Sequence, residues 1–114
     1  TIMAGLNCGS LSTLGWEILK NSLIGSMSIP DKLSEEAMKI LAYPVSGDPV
    51  IVSGESGASG LAGLIGLCNT DKYGTFKEKI DLNKSTKVLV INTEGDTDPL
   101  NYQRVVADNL ENNS

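Results

Sequence analysis

The chain has 114 residues, the size of one small domain, and 40% of them are hydrophobic, so most of it is expected to fold. Its net charge of -5 excludes a nucleic-acid partner, and no apolar run reaches the roughly 18 residues that a membrane span needs. The absence of histidine excludes Ser-His-Asp and Cys-His catalysis and removes the commonest zinc ligand.

Helices and two short strands are predicted in chain order. A cap and apolar residues at helical spacing predict a helix over Thr13–Ile24, and a second follows Pro30 and stops before Tyr43. Apolar runs at Val50–Val52 and Val88–Ile91 are typical of buried strands, each followed by a polar loop and a further helix. The predicted fold class is therefore α/β, with helices alternating with short buried parallel strands.

The helix after the first strand carries an unusual glycine repeat. Gly57, Gly60, Gly63 and Gly66 recur at every third position. Each glycine inside a helix costs roughly 1 kcal/mol relative to alanine. We therefore expect the repeat to form a contact stripe, against which another part of the protein packs closely.

Two loops, residues 53–58 and 92–98, follow the predicted strands, and open α/β sheets bind ligands at this end of their strands. Ordinary turn chemistry explains the glycine, serine and aspartate in them equally well. The first loop is no Gly-x-Ser-x-Gly elbow, because its last position is Ala58. Glu94, Asp96 and Asp98 are hard-cation ligands by type, but Asp98 already serves as a helix cap, so no metal site is predicted.

Three ordered segments, residues 1–9, 48–58 and 92–99, resemble the C-terminal part of the diaminopropionate ammonia-lyase family. That family is similar to the tryptophan-synthase-β group of pyridoxal-phosphate (PLP) enzymes, fold type II. The resemblance covers essentially the whole chain. It implies that residues 1–114 are a single C-terminal segment of a larger lyase.

The resemblance implies PLP as cofactor and β-elimination of 2,3-diaminopropionate to pyruvate and ammonia. In this family an upstream lysine holds the cofactor as a Schiff base, and no lysine of this chain lies in such a motif. We therefore assign no catalytic residue here and expect the chain alone to be inactive. The implied partners are a small amino-acid substrate, the rest of the same enzyme and, once complete, a second copy in a homodimer. Two isolated cysteines favour a cytoplasmic protein.

The resemblance also suggests four cofactor-binding residues. Thr93 lies where this enzyme group places a hydroxyl against the pyridine nitrogen, which leaves that nitrogen weakly hydrogen-bonded and tempers the electron sink. Glu55 matches an acidic residue near the ring. Gly54 and Gly57 would let the backbone approach the ring closely.

Two other functions remain open from the sequence. Another fold type II enzyme, such as a serine or threonine dehydratase, shares the features at Thr93 and Glu55, although the block Asn92–Pro99 favours the ammonia-lyase. A stand-alone, non-catalytic binding domain is the alternative from a different class.

Overall fold

The computed structural model describes residues 1–107 and contains five α-helices within them. The helices are α1 (Thr13–Leu19), α2 (Asp31–Ala42), α3 (Ser59–Asn69), α4 (Gly74–Lys79) and α5 (Pro99–Ala107). Short 3-10 turns lie at Ala4–Leu6 and Asp71–Tyr73. The frayed tail predicted at Glu111–Ser114 lies outside the described residues.

Helix α1 is shorter than predicted, because it ends at Leu19 instead of Ile24. The Ser12 hydroxyl caps its start by accepting a hydrogen bond from Gly15 N at 3.1 Å. No other helix within residues 1–107 contacts it, and its apolar side chains are exposed. A short helix without tertiary contacts gains little stability from each added turn, which explains the early stop.

The core lies where α2, α3 and α5 meet. Ala37 and Met38 of α2 are fully buried there against Ala62 and Ile65 of α3 and Val105 of α5. The small side chains of α3 allow this close packing, as its composition predicted. Since α3 and α5 start directly after the two predicted loops, the core fixes both loops relative to each other.

No strand is present among residues 1–107, so the predicted short buried parallel strands are not confirmed there. In Val88–Ile91 all residues but the half-buried Val90 are exposed, with Leu89 at 87%, and the backbone makes no hydrogen bond within the described residues. Val50–Val52 is also exposed. Within residues 1–107 its one backbone-to-backbone hydrogen bond runs from Ile51 N to Leu41 O at 2.9 Å. A strand needs a paired neighbour, and within this part of the chain the two segments do not pair with each other.

The first residues are attached to the body by polar contacts. The Asp31 carboxylate accepts hydrogen bonds from the Thr1 hydroxyl and, at 3.0 Å, from Ile2 N, and these bonds hold the pKa of Asp31 below its usual value. Gly5 N donates to the Ser56 hydroxyl at 2.9 Å. The N-terminal segment is thereby held beside the first loop.

Candidate functional site

The two loops predicted to carry chemistry lie against each other. Gly54 N donates to Glu94 O at 3.1 Å, and Ser56 N donates to the Glu94 carboxylate at 3.2 Å. The other Glu94 carboxylate oxygen accepts from the Thr97 hydroxyl at 2.5 Å. Loop 53–58 is buried, so these bonds lie at its protected side and join the start of α3 to the segment before α5.

Gly54 and Gly57 are the positions where the two backbones come closest. A Cβ atom on Gly54 would lie 2.5 Å from Gly95 O, and one on Gly57 would lie 2.4 Å from Asn92 Oδ1 and 2.6 Å from Glu94 O. All three distances are far below ordinary van der Waals contact. In this structure the two glycines serve the packing of loop on loop, and their predicted contact with the cofactor stays a prediction.

Asn92 is a site residue that the sequence reading missed. Its Nδ2 donates to Val52 O at 3.0 Å, and its Oδ1 accepts from the Ser53 hydroxyl at 3.0 Å and from Glu94 N at 3.3 Å. One side chain thus ties the end of the first extended segment to the start of the second loop. The sequence feature that could have identified Asn92 is its place between an apolar run and a glycine-containing loop, because asparagine side chains there commonly form hydrogen bonds with nearby backbone.

Thr93 borders a large cavity of about 790 Å³. Ser56, Ser59 and Gly60 line the same cavity at the start of α3, and the remaining lining is mostly aliphatic. The Thr93 side chain is exposed and makes no hydrogen bond within residues 1–107. Its hydroxyl is therefore available to a ligand.

Glu55 lies on the side of loop 53–58 that faces away from the large cavity. Its side chain is only 8% exposed, and its carboxylate accepts a hydrogen bond from Asn101 Nδ2 of α5. The Ser34 hydroxyl of α2 donates to Glu55 O at 2.6 Å, which fixes the backbone there. Glu55 lines a separate, smaller cavity of about 290 Å³, so the structure does not bring Glu55 and Thr93 together. Their shared role at the cofactor stays a prediction.

The predicted glycine stripe has neighbours along α3. A Cβ atom on Gly60 would lie 2.9 Å from Val90 Cγ1, and one on Gly66 would lie 3.0 Å from both Leu33 Cδ1 and Tyr73 Cε2. At Gly63 the nearest atom, Met27 Sδ, would be at an ordinary 3.5 Å. The tight contacts are therefore at Gly60 and Gly66, while Gly57 precedes the helix.

The donor set determines what this site is able to bind. Within residues 1–107 no three acidic, cysteine or histidine side chains are grouped to hold a metal ion. The large cavity offers several hydroxyls and Lys87 beside mostly aliphatic walls, which suits a flat aromatic ring with a polar edge atom. A pyridine ring that accepts a hydrogen bond from Thr93 fits these residues.

Several solved structures of one enzyme share this fold. The crystal structure of diaminopropionate ammonia-lyase from Escherichia coli in complex with an aminoacrylate-PLP azomethine reaction intermediate covers 96% of this chain with a TM-score of 0.85 and 46% identity. The complex of the same enzyme with D-serine gives 0.84 and 45%, and the apo form gives 0.75 and 43% over 85% of the chain. This chain is similar to the C-terminal region of diaminopropionate ammonia-lyase.

Curated relatives agree with the solved structures. The diaminopropionate ammonia-lyase of Escherichia coli K12 is 47% identical over 106 residues, and that of Salmonella typhimurium is 40% identical over 107; each match covers 93% of this chain. The chain spans only 27% and 26% of the length of these two ammonia-lyases. No protein-family model matches the chain. The resemblance inferred from the three motifs is thereby confirmed.

Within the described residues no helix is long and apolar enough to span a lipid bilayer.

Proposed function

We propose that this chain is the C-terminal segment of a PLP-dependent ammonia-lyase that converts 2,3-diaminopropionate to pyruvate and ammonia. The observation that carries the proposal is the fold match of 0.85 at 46% identity to an ammonia-lyase that holds a PLP intermediate. Because a shared fold alone does not determine an activity, the proposal also depends on the high sequence identity and on the contact between the two loops.

In this proposal PLP supplies the electron sink, and the residues of this chain bind and orient its ring. Thr93 would offer its hydroxyl to the pyridine nitrogen from the edge of the 790 Å³ cavity. Gly54 and Gly57 would keep loop 53–58 close to loop 92–98, and this close packing would hold the Thr93 hydroxyl in a fixed position. Glu55 would lie near the cofactor ring, although in this segment its carboxylate accepts a hydrogen bond from Asn101 of α5.

We further propose the partners and location that accompany this activity. A small amino acid is the substrate, consistent with the D-serine complex of the Escherichia coli enzyme. The rest of the enzyme would cover the exposed Val88–Ile91 segment, and the complete enzyme would form a homodimer. Cys8 and Cys68 are both free thiols, which supports a cytoplasmic location.

A chimera tests the proposal directly. The C-terminal segment of the Escherichia coli enzyme that this chain matches is replaced by the chain, and pyruvate release is measured from 2,3-diaminopropionate, D-serine and L-threonine. We expect turnover of 2,3-diaminopropionate above the other two substrates, while the truncated Escherichia coli part alone gives none.

Other outcomes would favour the competing functions. A folded, PLP-loaded chimera that prefers threonine or serine would favour a dehydratase segment, since that activity needs the same hydroxyl at Thr93. A chain that fails to assemble with the Escherichia coli part, yet folds alone, would favour the stand-alone binding domain. Either result would refute the ammonia-lyase proposal.

A further inference from the structure

The residues on either side of Thr93 are held by side-chain hydrogen bonds, whereas Thr93 itself makes none within residues 1–107. Asn92 contacts Val52, Ser53 and Glu94 N, and Glu94 contacts Ser56 N and the Thr97 hydroxyl. We propose that Asn92 and Glu94 are positioning residues that hold the Thr93 hydroxyl at the edge of the large cavity. This inference rests on the proposed function and extends it to residues that do not touch the cofactor.

The geometry of an extended chain gives the reason. Successive side chains of extended backbone point to opposite sides, so Asn92 and Glu94 share one side and Thr93 takes the other. The side of Asn92 and Glu94 faces loop 53–58, and Thr93 faces the cavity. Fixing the first side therefore fixes the position of the hydroxyl on the second.

The anchor points are themselves rigid. Ser53 is 1% exposed and Ser56 is 7% exposed, and both lie in the loop that leads into α3. Ala58 and Ala62, which follow, belong to the buried core. Asn92 and Glu94 thus connect Thr93 to the core through short contacts, while the preceding segment Val88–Ile91 is mostly exposed and its backbone makes no hydrogen bond within the described residues.

A double-mutant cycle in the chimera separates positioning from general stability. We expect Asn92→Ala to lower kcat at least about tenfold with little change in KM or PLP absorbance, because a misplacement of about 1 Å costs up to about 100-fold. If Asn92 acts through Thr93, Asn92→Ala has no further effect in the Thr93→Ala background. Asn92→Asp, which keeps the acceptor oxygens, should recover part of the rate.

Asn83→Ala is the matched control. The Asn83 amide also bonds locally, to Ser85 N at 2.9 Å and Asp81 O at 3.0 Å, but it lies in an exposed turn away from both loops. We expect it to leave kcat unchanged. Additive effects of Asn92→Ala and Thr93→Ala, or an equal loss in Asn83→Ala, would overturn the inference.

Amide hydrogen exchange on the chain alone keeps the inference testable if the Asn92 variants fail in the chimera. Asn92→Ala should speed exchange at Gly54, Ser56 and Glu94 by about tenfold or more and leave Ala62 in the core unchanged. Unchanged exchange at these three amides would overturn the inference. Inactivity of the unsubstituted chimera would instead count against the proposed function, because the exchange measurement does not depend on activity.

Discussion

The sharpest structural prediction concerns Gly57→Ala. The new Cβ atom would lie 2.4 Å from Asn92 Oδ1, about 1 Å short of ordinary contact, and also 2.6 Å from Glu94 O. Asn92 is held by three hydrogen bonds, each worth about 1 kcal/mol net, and moving it aside would break one or two of them. Added to the strain of overpacking, about 1–3 kcal/mol, this gives an expected loss of about 2–5 kcal/mol in the free energy of unfolding.

Gly63→Ala is the matched control, with an expected change of opposite sign. Its Cβ atom would meet only Met27 Sδ at 3.5 Å, and Gly63 lies inside α3, where alanine is the better helix former by about 1 kcal/mol. The assay is urea unfolding of both variants. A shift of the unfolding midpoint reports stability when the dependence of the unfolding free energy on urea concentration is unchanged. A Gly57→Ala midpoint equal to or above that of the unsubstituted chain would refute the close loop packing.

In the chimera, Thr93→Ala should reduce turnover more than PLP occupancy, since the main cofactor contacts lie elsewhere; full turnover at full occupancy would contradict the assignment of Thr93. Burial, followed by the charge of Asp96 and by Tyr43, raises the pKa of Tyr102. The contribution of protonated Tyr102 to stability is therefore complete below its unfolded-state pKa of about 10. It is lost as the pH rises through the higher folded-state pKa. Tyr102→Phe should flatten this alkaline decline, and an unchanged slope of unfolding free energy against pH would refute it. Borohydride reduction of the chain mixed with PLP should give no single stoichiometric pyridoxyl-lysine on peptide mapping; one defined site would show that the chain holds its own cofactor lysine.

The helices were predictable because their signals are local. Pro30 and the apolar face after it predicted α2, and Asp98 followed by Pro99 predicted the start of α5. The end of α1 was not predictable in this way, because the sequence shows apolar residues up to Ile24 but does not show whether anything packs on them. Within residues 1–107 no other helix does, and the helix stops at Leu19.

The strand prediction is not confirmed in residues 1–107, for a related physical reason. Val50–Val52 and Val88–Ile91 have the composition of strands buried on both faces, but composition does not supply the neighbouring strands that bury them. Val88 is 49% and Ile91 is 68% exposed in this structure. The sequence thus indicated a surface that needs covering, and the prediction assumed that this part of the chain provides the cover.

In the candidate site, too, local signals were predictable from the sequence and contacts between distant residues were not. Residues 53–58 and 92–98 meet in the structure, which the sequence did not predict. The positioning contacts of Asn92 and Glu94 were not predictable either, because an amide or carboxylate contact between distant loops leaves no spacing pattern in the sequence. After Thr93 the chain is fixed by contacts made within this segment. Asn92 fixes the position directly before Thr93 in the same way. Val88–Ile91, further upstream, makes no backbone hydrogen bond within residues 1–107, so under the proposed function the rest of the enzyme supplies the pairing for that segment.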